Sequence, residues 1–192
     1  MSEHDAFTKR GRALEEEYFR KKDRDLIEKI RQAAVAEQAR KDLGRKAGLD
    51  DPQLVQELQD LGFTPDTVGL LPLVPIIQMA WAEGGITNAE RELILRLARS
   101  RGIEAGSPAD RQLAAWMTHQ PSEAVFARAT RLIRAILDSS PAQTDNLSAD
   151  DLVKYSEEIA SASGGILGIG RISAEERALL SSIAEGLNAR RA

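Results

Sequence analysis

LLPLVPIIQMAWAEGGITNAERELILRLARSRGI, residues 70–103, is the stretch on which the fold turns. Leu70, Leu71, Leu73, Val74, Ile76, Ile77, Met79 and Trp81 leave almost no polar face, so the pattern predicts a helix buried all round. Gly84-Gly85 ends it, because glycine reaches the left-handed backbone that a helix C-terminus favours. Thr87-Asn88-Ala89-Glu90 then reads as a capping box, in which the Thr hydroxyl accepts from an orphan amide and Glu90 reaches back to the N-cap amide. These signals predict a helix, a two-glycine turn and a second helix. They disclose no reaction.

The same signal returns near the C-terminus. Ala80-Trp81-Ala82-Glu83-Gly84-Gly85 is echoed by Ala160-Ser161-Ala162-Ser163-Gly164-Gly165. After an insertion of residues 166–171, Ile86-Thr87-Asn88-Ala89-Glu90-Arg91 is matched by Ile172-Ser173-Ala174-Glu175-Glu176-Arg177. Two copies are too few for a solenoid. An internally duplicated helical bundle with an approximate two-fold is the expected architecture.

Helix–acid–Gly–Gly–Ile–Thr–x–x–Glu resembles the TerB-like family, the helical domain of tellurite-resistance proteins, which is also similar to the N-terminal region of the DjlA co-chaperone. The likeness covers residues 70–187. It implies an all-α fold, a stress-response setting, and an acidic cluster holding a divalent metal, which here would be Glu83, Glu90 and Glu176. The family has Asp-Gly in the first turn where this chain has Glu83-Gly84, and the second copy replaces the acid by Ser163.

Around this centre, 192 residues suffice for one domain of ordinary size and an appendage. With 4% aromatics the core must be mainly Leu, Ile, Val and Ala, which suits helices. The absence of cysteine excludes disulfides, thiolate catalysis and Cys-ligated zinc. No charged region followed by an apolar run opens the chain, and the apolar run at residues 68–82 is shorter than a membrane helix and interrupted by two prolines. A cytoplasmic protein without a transmembrane segment is expected. Residues 1–50 hold 13 of the 26 Lys and Arg against 11 acids, a balance of +2, which leaves −6 on the remainder. A mildly acidic domain without a basic face is a poor nucleic-acid binder, since phosphate neutralisation supplies most of that affinity.

From the N-terminus, residues 7–49 are charged and helix-prone, and a domain boundary is placed at 50/51. The bundle comprises residues 51–192. In the charged extension Leu14, Tyr18, Phe19, Leu26, Ile27, Ile30 and Val35 are the sizeable hydrophobes, and no heptad persists over three repeats. One reading lays this helix along the bundle. The other has it bind a partner through Tyr18, Phe19, Ile27 and Ile30, the partner being another protein or a second copy in a homodimer. Glu15-Glu16-Glu17-Tyr18-Phe19-Arg20 and the alternating charges to residue 32 also resemble the helical segment of F-type ATPase inhibitor proteins. That likeness implies a regulator of an ATPase or similar complex.

Further on, Asp51-Pro52 opens a helix that Gly62 stops, and Thr64-Pro65 repeats the start signal. Pro72 and Pro75 kink or restart the central helix. Ser107-Pro108, Pro121-Ser122, Ser148 and Ser173 begin the remaining helices, and residues 140–147 form a polar loop. No stretch alternates with period two long enough for a strand, so the fold class is all-α.

Chemistry finds little purchase. GGILGIG at residues 164–170 lacks the Lys-Ser/Thr of a phosphate loop and follows no strand, so a helix C-cap with an apolar plug explains it better. His4 and His119 form no ligand pair, and no Ser/His/Asp set can be assembled. Trp81 and Trp116 read as core anchors. The expectation is a non-enzymatic binding or scaffold module with no cofactor beyond the divalent metal implied by the resemblance.

Overall fold

Prolines at 72 and 75 forbid a continuous α-helix through the apolar centre, and a computed structural model of the chain shows how the backbone responds. It describes residues 3–139, 149–162 and 174–188. Val68–Leu73 winds as a 3-10 helix with Pro72 inside it, and an α-helix restarts at Val74 with Pro75 in its first turn, where a missing N–H costs nothing. All described regular structure is helical. In chain order the α-helices are α1 (Glu3–Ala47), α2 (Pro52–Asp60), α3 (Val74–Ala80), α4 (Asn88–Ser100), α5 (Pro108–Thr118), α6 (Glu123–Ser139), α7 (Ala149–Ala162) and α8 (Ala174–Asn188).

Most start signals act as the residues suggest. Asp51 accepts from the Gln53 amide at 2.8 Å, Ser107 accepts from the Asp110 amide at 3.1 Å, and Thr87 with Glu90 closes a complete capping box. Thr64-Pro65 differs. It opens a turn, because the Thr67 hydroxyl accepts from the Thr64 amide at 2.9 Å and the Thr64 carbonyl accepts from the amides of Thr67 and Val68. Regular helix therefore begins only at Val68. The Ser148 and Ser173 caps, the 140–147 loop and GGILGIG lie outside the described residues.

Three helices stop by one device. Leu49, Phe63 and Ile103 donate to the carbonyls of Gly44, Leu58 and Ala98, five residues back, across Gly48, Gly62 and Gly102 at positive φ. This is the double-bonded C-terminal turn that satisfies last-turn carbonyls, and it brings a hydrophobe just past each end onto the core. Leu49, Phe63 and Ile103 are all buried.

The chain divides into two units, Met1–Lys41 and Asp42–Ala192. In the second, α3 packs against α4, α6, α7, α8 and the 3-10 helix. Leu70, Leu71, Leu73, Ile76, Ile77 and Met79 are fully buried, joined by Ile94, Leu113, Leu132 and Leu152 from the surrounding helices. The last turns of α1 belong to this unit, with Leu43 and Leu49 in the core. In the first unit, α1 is exposed from residue 15 through residue 36. No helix among the described residues is long and apolar enough to cross a membrane.

Candidate functional site

Two places carry the residues singled out in the sequence, one in each unit. In the first unit α1 is held as a helix by local pairs, Glu16 with Arg20 at 3.9 Å and Glu37 with both Arg40 and Lys41. Such pairs contribute a few tenths of a kcal/mol each, about what a solvated helix face needs. Against that polar background the large apolar side chains stay uncovered: Tyr18 is 55% exposed, Phe19 60%, Leu26 57% and Ile30 60%, with Ile27 and Val35 also exposed. At 3.6 residues per turn Phe19, Leu26 and Ile30 fall within about 40° of one another. Tyr18 and Ile27 flank this stripe, and Val35 lies off it. Tyr18 and Phe19 meet edge-on at 5.9 Å, and the Lys22 ammonium sits 4.9 Å above the Tyr18 ring. Pairing with a neighbour and a cation orders both rings before any docking. Leu26 joins the anchors already named. Its sequence signal was the seven-residue step from Phe19 and the four-residue step to Ile30.

The second place lies where α3 turns into α4. Gly84 takes the positive φ of the turn, and Thr87 starts α4. The Thr87 amide and hydroxyl donate to Oε2 of Glu90 at 2.6 and 2.7 Å, while the Glu90 amide donates to the Thr87 hydroxyl at 3.3 Å. Glu90 is buried and so is Glu176, whereas Glu83 is exposed. Burial holds the Glu90 carboxyl above its ordinary value; the Thr87 hydrogen bonds pull it back, and the negative charges of Glu176 and Glu83 push it further up. Among the described residues no three His, Asp or Glu side chains are placed to hold one metal ion. Glu90 commits Oε2 to the cap, so its carboxylate works as an N-cap acceptor.

The tryptophans close the same corner. The Trp81 indole donates to the Trp116 carbonyl at 2.9 Å, and Arg91 donates to the Met117 carbonyl at 3.1 Å. Both acceptors are last-turn carbonyls of α5, which lack partners within their own helix. Trp116 meets Phe63 edge-on at 5.9 Å. Trp81 and Trp116 thus act as half-buried anchors at the edge of the core. His119 is the exposed C-cap of α5.

A cleft of about 350 Å³, unanticipated from the sequence, opens beside the end of α1, lined in part by Lys46, Asp66, Arg101, Glu104 and Ser107. Lys46 pairs with Asp66 at 3.5 Å, and the Ser107 hydroxyl caps α5. Nearby Asp110 accepts from the Gly106 amide and from Arg99. Among the described residues no buried side-chain nitrogen or oxygen lacks a partner. Local structure thus engages Lys46, Asp66 and Ser107, and Arg101 lies 5.9 Å from the Tyr155 ring.

Glu90 makes stability depend on pH. Its folded form binds a proton more tightly than its unfolded form does, so its contribution favours the fold at acidic pH. That contribution is lost as pH rises from the ordinary glutamate value, about 4.3, through the raised folded value. Glu90→Gln keeps an acceptor for Thr87 and removes the charge. Denaturant melts across this window should show the variant gaining on the parent as pH rises, and a flat difference would mean that burial does not control this carboxyl.

Neither a family model, nor a curated protein, nor a solved structure matches the chain.

Proposed function

We propose that the chain is a non-enzymatic binding or scaffold module, an internally duplicated TerB-like bundle that carries a docking helix. The observation that carries this reading is the stripe of Phe19, Leu26 and Ile30 with flanking Tyr18 and Ile27, exposed on a helix otherwise rich in charge. Large apolar and aromatic side chains clustered on one face are the usual anchors of a protein interface. Support for the duplication comes from α4 and α8. Each carries a glutamate at its third position, Glu90 and Glu176, and both are buried. The α3–α4 and α7–α8 pairs also pack on one another, α3 against α7 and α8, and α4 against α7. A tellurite-resistance-like stress setting accompanies the TerB-like reading.

The test is affinity capture from cytoplasm with the full-length chain, a chain beginning at Asp42, and Tyr18→Ala with Phe19→Ala. The main partner should be held by the first and lost by the other two. Capture unchanged by either alteration would move binding to the bundle. The same exposed Tyr18-Phe19 surface favours a second reading, a regulator of an ATPase, which an ATP-hydrolysis assay on a captured ATPase separates from simple scaffolding. The duplication has its own check. Thr87→Ala costs about 1 kcal/mol as an N-cap loss, and Ser173→Ala should cost the same if the second copy starts alike.

A further inference from the structure

The exposed stripe of α1 is bordered by charges arranged about a centre. Glu28 is the midpoint: Leu26 and Ile30 lie two residues to either side. Glu16 and Arg40 lie twelve residues to either side of it, and Glu15 and Lys41 thirteen. At 3.6 residues per turn Glu15 and Arg40 border one edge of the stripe, and Glu16 and Lys41 border the other. We infer that this face docks on the same face of a second copy of the chain, in an antiparallel pair centred on Glu28. The inference rests on the reading of α1 as the docking element and names its partner.

In an antiparallel pair of helices, each edge meets the same edge of the other copy. Glu15 then faces the second copy's Arg40, and Glu16 faces the second copy's Lys41, at both ends of the seam. Leu26 falls on the second copy's Ile30. Phe19, the largest side chain of the stripe, falls opposite the second copy's Glu37, beside the small Ala33 and Ala34 one turn away, whose surface the ring can fill. A parallel, in-register pair would set Glu15 and Glu16 against themselves, and Arg40 and Lys41 against themselves. Like charges facing each other at these flanking positions oppose association, so the charge pattern selects the antiparallel arrangement. Within one chain Glu16 is held by Arg20, and Arg40 and Lys41 by Glu37. These pairs are exposed or half-exposed and cheap to exchange for pairs across the seam.

Sedimentation of the full-length protein should show a dimer at tens of micromolar. Phe19→Ala with Ile30→Ala should convert it to monomer while the thermal melt of the bundle is unchanged. Glu15→Lys with Glu16→Lys should weaken association about tenfold or more at low salt. Adding Arg40→Glu and Lys41→Glu to that same chain should restore it, because every cross-seam pair is then reversed. The chain has no cysteine, so orientation is readable by disulfide formation. A mixture of Glu16→Cys and Lys41→Cys proteins should form the mixed dimer, and neither alone should cross-link. A chain still monomeric at about 100 µM overturns the inference, since so weak a pairing would not be a specific dimer. So does a dimer that cross-links Glu16→Cys to itself, or one indifferent to Phe19→Ala with Ile30→Ala. A monomeric chain that captures another protein through Tyr18 and Phe19 overturns self-pairing and leaves the docking-helix reading standing. A monomer without any α1-dependent capture removes both.

Discussion

A chain beginning at Asp42 should melt as the bundle of the full-length protein does, and a chain beginning at Asp51 should be less stable by several kcal/mol. The nine residues between these starts contain Leu43, fully buried, and Leu49, 4% exposed. Loss of one buried leucine side chain alone costs about 2–5 kcal/mol. The backbone is also committed. Leu49 N–H donates to the Gly44 carbonyl at 2.9 Å, and a Cβ on Gly44 would stand 2.9 Å from the Leu49 carbonyl oxygen and 3.1 Å from Val55 Cγ2. So close an approach of helix end to α2 leaves no room for a side chain and none for water. Residues 15–36, by contrast, are exposed throughout, and exposed side chains contribute within about ±0.5 kcal/mol each. Denaturant midpoints of the three chains decide the matter. Equal midpoints for the chains from Asp42 and Asp51 would mean that Leu43 and Leu49 do not belong to the core.

The same segment shows why part of the fold was not legible in the sequence. KDLGRKAGLD, residues 41–50, contains two leucines among polar residues and glycines, and nothing local separates it from the charged, helix-prone stretch before it. Leu43 and Leu49 join the core because Val55 of α2 comes close against Gly44, a tertiary reason that no local pattern carries. Elsewhere local chemistry was sufficient. The capping box at Thr87, the Asp51 and Ser107 caps, and the proline break at residues 72–75 follow from single residues and their immediate neighbours. Thr64-Pro65 misled because the Thr67 hydroxyl accepts from the Thr64 amide and the Thr64 carbonyl accepts from Thr67 and Val68, which closes a turn before regular helix begins. Of the candidate sites, Tyr18, Phe19, Ile27 and Ile30 could be named from composition alone, because a few large hydrophobes among so many charges have no core to join within their own helix. The repeat places Glu90 and Glu176 at matching positions, but their burial depends on how α3, α4, α7 and α8 pack together.

Ile76→Ala should cost about 2–5 kcal/mol, and Ile30→Ala should cost almost nothing, although both remove the same atoms from a helix. Ile76 is fully buried in α3, the helix that contacts α4, α6, α7, α8 and the 3-10 helix. A cavity there is bounded on every side by packed helices, which limits how far the site can collapse. Ile30 is 60% exposed, and truncating it removes apolar surface that water already wets. Alanine is also the better helix former, which offsets what little the exposed substitution loses. The measurement is a pair of denaturant melts at sub-micromolar protein, a concentration at which self-association adds nothing to apparent stability. For Ile76→Ala the midpoint should fall with an unchanged slope, the signature of lost stability without a change in the surface exposed on unfolding. A large loss for Ile30→Ala would place that side chain in a folded contact and remove the basis for α1 as a docking surface. A negligible loss leaves an isoleucine that contributes nothing to the fold it sits in, and its apolar surface is then available to bind.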